Sequence, residues 1–141
     1  MRSRIMQMKR ITHQIDELNG QLGALSRPRL TDYGLLPYIW SEFVEFCKKN
    51  GKSPAQVYER QKFLYVVLLL YCPQTLIGRK LKGGLRKALS EEIGVKGESI
   101  SDNIRNVVIL YDNYGDFSRD VDYFYDEISE KLGAQRPSGG S

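Results

Sequence analysis

Apolar residues recur at spacings of three and four along most of this chain, a pattern that predicts helices separated by short glycine and proline breaks. The first set is Met8, Ile11, Ile15, Leu18, Leu22 and Leu25, an a/d seam over about two and a half heptads. It predicts oligomerisation of residues 5–25 as a coiled coil, the alternative being one amphipathic helix lying on its own domain. Gly20 and Gly23 weaken that helix by about 1 kcal/mol each relative to alanine. Ser26-Arg27-Pro28-Arg29 then reads as a linker. Leu36, Ile39, Trp40, Phe43, Val44 and Cys47 form the face of a second helix, with Pro37 in its first turn and Asn50-Gly51 as its stop. Trp40 and Phe43 are expected in the core, with an aromatic ligand platform as the alternative. Ser53 as N-cap, Pro54 at the first position and Gln56 completing a capping box predict a third helix running to about Tyr71. From Phe63 it is apolar nearly all round, so it should be the central strut.

Cys72-Pro73 ends that helix, and residues 77–84 read as a flexible basic loop. Residues 85–111 then carry two stripes: Leu85, Ala88, Leu89 and Ile93, followed by Ile100, Ile104, Val107, Val108 and Tyr111. Gly94 can take the left-handed conformation that ends a helix, residues 96–99 offer start signals for the next, and Ser90 is small where the two would cross. The outline is a helix-turn-helix. Asn113-Tyr114-Gly115 closes it, and Ser118 is expected to cap a last helix whose inward stripe is Val121, Phe124, Ile128 and Leu132, ending at Gly133. No alternating run makes a convincing strand. The expectation is an all-α fold: residues 1–29 an oligomerisation helix and linker, 30–133 a helical domain with the helix-turn-helix at 85–111, and 134–141 a tail that is disordered or an expression remnant.

With 141 residues the chain suits one domain plus an appendage, and 41% hydrophobic with 27% charged residues is a globular composition. The net charge of +4 conceals a strong segregation. Residues 1–30 hold six basic and two acidic side chains (+4), 59–87 seven and one (+6), and 112–133 two and seven (−5). Such a molecule has one end suited to polyanions and another that repels them. Five of the nine residues 79–87 are basic, and they lead into a helix start, where exposed amides also favour phosphate. Arg79, Lys80, Lys82, Arg86, Lys87 and Lys96 are therefore the candidate phosphate contacts, the alternative being a solvated loop.

Leu89-Ser-Glu-Glu-Ile93-Gly94-Val95-Lys96-Gly97-Glu98-Ser99-Ile100-Ser-Asp-Asn-Ile104-Arg-Asn-Val107 resembles, without a gap, the helix-turn-helix of LuxR-type regulators and of sigma-factor region 4. The resemblance covers residues 85–107. It implies that residues 98–106 form a recognition helix, with Glu98, Ser101, Asp102 and Arg105 on its DNA-facing side, and that a dimer binds in the major groove. Asn103, Arg105 and Asn106 are types that read bases; Asp102 can accept from cytosine; Ser99 and Ser101 complete the candidate base contacts. This face carries Glu98 and Asp102 against Lys96 and Arg105, so affinity is assigned to the loop and discrimination to the helix.

Catalysis finds little support. His13 is the sole histidine, which excludes histidine triads and two-histidine metal sites, and no Walker-type phosphate loop is present. The expectation is a non-enzyme with no cofactor, no metal and no small-molecule substrate. Cys47 and Cys72 lack metal-ligand spacing, no signal-peptide pattern follows the basic N-terminus, and the nine-residue apolar run at 63–71 is too short to span a bilayer, so a cytoplasmic protein without membrane contact is expected. The leading reading is an oligomeric protein binding duplex DNA, in transcriptional regulation or DNA handling. The rival is an assembly or structural accessory protein of a phage or mobile element, its basic loop docked on the acidic last helix of a neighbouring subunit. Small terminase subunits combine features of both.

Overall fold

The computed structural model describes residues 2–135. They form α1 (Arg2–Leu25), α2 (Leu36–Lys49), α3 (Val57–Tyr71), α4 (Gly83–Ile93), α5 (Gly97–Asn113) and α6 (Gly115–Gln135), with short 3-10 helices at Tyr33–Leu35 and Pro73–Ile77 and no strand among the described residues. The chain is all-α, as its periodicity predicts. No described helix is long and apolar enough to cross a membrane. Residues 136–141 of the expected tail lie outside the described residues, and α6 continues past Gly133 to Gln135.

α3 packs against α2, α5 and α6 and buries Phe63, Leu64, Val66, Val67, Leu68 and Leu70. An all-round apolar helix needs neighbours on every side, and this one has them. Its Phe63 ring lies 5.5 Å from Phe43 of α2, which in turn lies 5.2 Å from Phe124 of α6, so three helices meet at one aromatic cluster. Trp40 packs edge-on to Phe63 at 4.8 Å, which makes it a wall of the core. Phe46, outside the predicted α2 stripe, is buried because α6 covers that side, with Phe124 at 5.5 Å. Both cysteines are free and buried, and burial pushes the Cys47 thiol up to about 11.

Three boundaries differ from the pattern-based expectation. Ser53 does cap, accepting from the Ala55 amide at 3.2 Å, but it caps a single turn; Gln56 is extended (φ −70°, ψ 138°) and α3 starts at Val57. Gly83 and Gly84 belong to α4 rather than to a loop, and Gly84 is small because a Cβ there would meet the Tyr33 ring at 3.2 Å. Leu81 is also buried, so the free basic loop shrinks to a few residues around 79–82. Finally, α6 begins at Gly115, not after Ser118, because only Tyr114 is extended between it and α5.

One charged cluster lies inside. Lys62, 1% exposed, donates from Nζ to Glu59 Oε1 at 2.9 Å, Glu59 Oε2 at 3.1 Å and Asp120 Oδ2 at 2.7 Å, and Lys52 reaches the same Asp120 oxygen at 2.8 Å. The cluster ties α3 to the first turns of α6. Burial pushes the Asp120 carboxyl up, but the hydrogen bonds and charges of Lys52 and Lys62 outweigh it and hold the group below its ordinary value. Asp116, accepting the Tyr58 hydroxyl at 2.9 Å, is likewise held low. A carboxylate with a lowered folded-state pKa contributes stability that is complete above its unfolded pKa and is lost as pH falls through the folded value. Thermal melts should therefore weaken from about pH 4 downward. Asp120→Asn should melt lower at neutral pH and show a flatter acid limb; an unchanged acid limb would remove Asp120 from this role.

Candidate nucleic-acid interface

α4 and α5 are joined by a three-residue turn in which Gly94 adopts φ 69°, ψ 30°, a left-handed conformation that a side chain would strain. Ser90 donates its hydroxyl to the Val95 carbonyl, which closes the turn, and Leu85, Leu89, Ile100 and Val107 bury the inner faces of the pair. Arg86, in the first turn of α4, braces the start of α5. Its Nη1 donates to Ser101 Oγ at 3.2 Å, and its stem packs on Gly97, where a Cβ would lie 3.4 Å from Arg86 Cγ. Arg86 is thus a half-buried structural member, unlike the other candidate phosphate contacts.

Arg79, Lys80, Lys82, Lys87 and Lys96 are all exposed, and among the described residues none of them has a carboxylate within salt-bridge distance. Lys82 and Lys96 are the N-cap residues of α4 and α5, so both sit beside the open amides that begin a helix. Of the candidate base contacts, Asp102, Arg105 and Asn106 are exposed on the outer face of α5. Ser99 is exposed on the side facing α3, where it shares a shallow pocket with Asn103 and Arg60. Asn103 is turned inward: Nδ2 donates to the Ser99 carbonyl at 2.6 Å and Oδ1 accepts from Gln61 Nε2 at 2.9 Å. Ser101 is half-buried under Arg86.

Four of the six α6 carboxylates, by contrast, have partners within their own chain. Asp120 bonds Lys52 and Lys62, Glu127 pairs with Lys131 at 3.2 Å, and Asp116 and Asp122 accept the hydroxyls of Tyr58 and Tyr111 at 2.9 and 2.7 Å. Asp126 and Glu130 remain exposed without an ion pair among the described residues. Residues 79–96 therefore offer five exposed cations without an ion pair among the described residues, while α6 has two of its carboxylates, Asp120 and Glu127, in ion pairs.

No residue of α1 is buried. Met8, Ile11, Ile15, Leu18 and Leu25 are 51–86% exposed and Leu22 is half-buried, so the predicted seam is solvent-facing along its length. The positions flanking it are Gln7, Gln14 and Gln21 on one edge and Thr12 and Asn19 on the other, none of them charged. Lys9, Arg10, Asp16 and Glu17 lie off these edges. An identical helix would therefore meet no like charge across the seam. Gly20 and Gly23 fall on the far face, where an added Cβ would touch nothing. The root of α1 is fixed: Ser26 Oγ accepts from Gln74 Nε2 at 2.9 Å, and the Arg29 and Leu30 amides donate to the Leu70 carbonyl at 2.9 and 3.0 Å. Lys82 and Pro28 line one small pocket there, so α1 leaves the domain beside the basic loop.

A further feature escaped the pattern reading. Between the 3-10 helix at Pro73–Ile77 and α5 runs a groove of about 600 Å³ whose lining includes Arg79, Ser101 and Arg105. Its only sequence signal is a pair of isoleucines outside the stripes, Ile77 and Ile109, which are 57% and 48% exposed. Among the described residues no group of three His, Cys, Asp or Glu side chains is placed to hold a metal. No family model matches the chain, and neither a curated protein nor a solved structure matches it.

Proposed function

We propose that this is a self-associating, non-enzymatic, cytoplasmic DNA-binding protein, in which α4 and α5 act as a helix-turn-helix and two or more copies join through α1. The observation that carries this reading is the set of exposed, unpaired cations at Arg79, Lys80, Lys82, Lys87 and Lys96. Cations without carboxylate partners release counterions when they meet phosphate, which supplies affinity irrespective of sequence. Arg105 and Asn106, with Asp102 beside them, are the side chains free to discriminate bases. Arg86 supports the arrangement by bracing the two helices. Its exclusion from the phosphate set makes a clean variant possible.

The rival reading, in which the basic loop docks on a neighbour's α6, loses Asp120 and Glu127 to intramolecular ion pairs but keeps Asp116, Asp122, Asp126 and Glu130 as exposed, charged groups. To separate the two, duplex DNA is titrated at two salt concentrations with wild type and with Arg79, Lys80, Lys82 and Lys87 all changed to Gln. The variant should bind more weakly, and its log–log salt slope should be shallower by about 3–4, one contact per charge removed. Equal affinity for the two proteins would refute the loop as the phosphate site.

A further inference from the structure

We propose that the groove between the 3-10 helix at Pro73–Ile77 and α5 is a docking site for an acidic amphipathic helix of another protein. Its lining carries five aliphatic side chains, Leu76, Ile77, Ile104, Val108 and Ile109, of which Ile77 and Ile109 are exposed, beside Thr75 and Ser101. Exposed aliphatic side chains clustered in one depression mark a surface that a partner covers. Arg79 and Arg105 border the same depression, both exposed and without an ion pair among the described residues. Guanidinium forks bind carboxylates in a bidentate manner, so the groove asks for aliphatic anchors flanked by Asp or Glu. Along α5 the lining runs from Ser101 to Ile109, about 12 Å of helix axis, which matches roughly two turns of a helix laid alongside with anchors at i, i+3 or i+4 and i+7.

Two other occupants fit less well. A phosphodiester backbone gains nothing from five aliphatic side chains, so nucleic acid is expected to stop at the arginine rim. A second copy of this chain has one unpartnered helix to offer, α1, which carries four basic and two acidic residues, net +2. That sign repels the two arginines. The partner is therefore a different protein; it would compete with DNA for Arg79 and Arg105, and the inference does not rest on the DNA-binding reading.

The test is a selection from displayed random peptides of about sixteen residues, roughly four helical turns, on the full-length protein. Recovered peptides should carry aliphatic residues at helical spacing with Asp or Glu beside them. Their affinity, read by fluorescence anisotropy, should fall at least about tenfold in Arg79→Glu/Arg105→Glu and in Ile77→Ser/Ile109→Ser. A Lys80→Glu/Lys87→Glu protein, equal in charge change but outside the groove, should bind them as wild type does. All these positions are exposed or at the rim, and unchanged thermal melts confirm that each variant is folded. Failure to recover binders, recovery of basic or unpatterned peptides, or equal loss in the Lys80/Lys87 variant would overturn the proposal. So would amide shifts at Ile104, Val108 and Ile109 that appear with protein concentration alone, which would assign the groove to a second copy, or shifts there that only duplex DNA produces.

Discussion

Ile15→Asp/Leu18→Asp should leave the protein monomeric in sedimentation velocity while its melting curve stays where it was. The two halves of this expectation come from one fact. α1 buries none of its residues on the domain, so the substitutions remove no intramolecular contact, and surface changes of this kind move stability by no more than about 0.5 kcal/mol. In an α1–α1 pair the same positions sit at the centre of the seam, where each chain would bring unpartnered carboxylates into an apolar interface. Burying them costs several kcal/mol, enough to raise the dissociation constant by at least about a hundredfold. A wild type that is itself monomeric would contradict the pairing. A variant that melts well below wild type at concentrations where the wild type is itself monomeric would show instead that α1 lies on its own domain.

The second large effect is expected at Lys62. Lys62→Ala should lower unfolding free energy by about 3–5 kcal/mol, because it leaves the buried Glu59 carboxylate without its cation and Asp120 with Lys52 alone. Much of that loss belongs to the stranded charges and not to the ion pair itself. Lys62→Met combined with Glu59→Gln should therefore recover a large part of it, since an apolar replacement of similar volume with fewer buried charges is often close to neutral. Urea unfolding of the three proteins measures both values. A loss under about 1 kcal/mol for Lys62→Ala would mean that water or a shifted side chain takes over the role of the ammonium.

Helix positions were readable in the sequence because each apolar stripe has the helical period and most have a glycine or proline at an end. Gly94 and the Asn50-Gly51 stop are direct cases, since both Gly94 and Gly51 take the positive φ that their positions required. What the pattern could not reveal was which polar side chains turn inward. Lys62 reads as the last polar residue before an apolar run, and its burial depends on Asp120, 58 residues away. The i, i+3 spacing of Glu59 and Lys62 was its one local hint. Arg86 and Asn103 were in the same position: both are types that contact nucleic acid, and both are engaged by partners on neighbouring helices, Ser101 and Gln61. The α6 start was misplaced by four residues because Ser118 is a good capping residue, whereas the break is made by a single extended Tyr114. The groove was invisible because a concavity between two segments leaves no period in either.

The α1 seam and the basic loop are rooted together through Ser26, Gln74 and Lys82, so pairing two copies would bring two sets of unpaired cations into one assembly. Linked sites of this kind gain affinity without any new contact. The most direct test is a titration of wild-type protein with a duplex of about thirty base pairs, long enough for two half-sites a few helical turns apart, across a series of salt concentrations. Tight binding at low salt is expected, with a log–log slope of at least about −4 set by the five unpaired cations of each copy. Absence of binding at low salt, or an affinity indifferent to salt, would contradict that expectation.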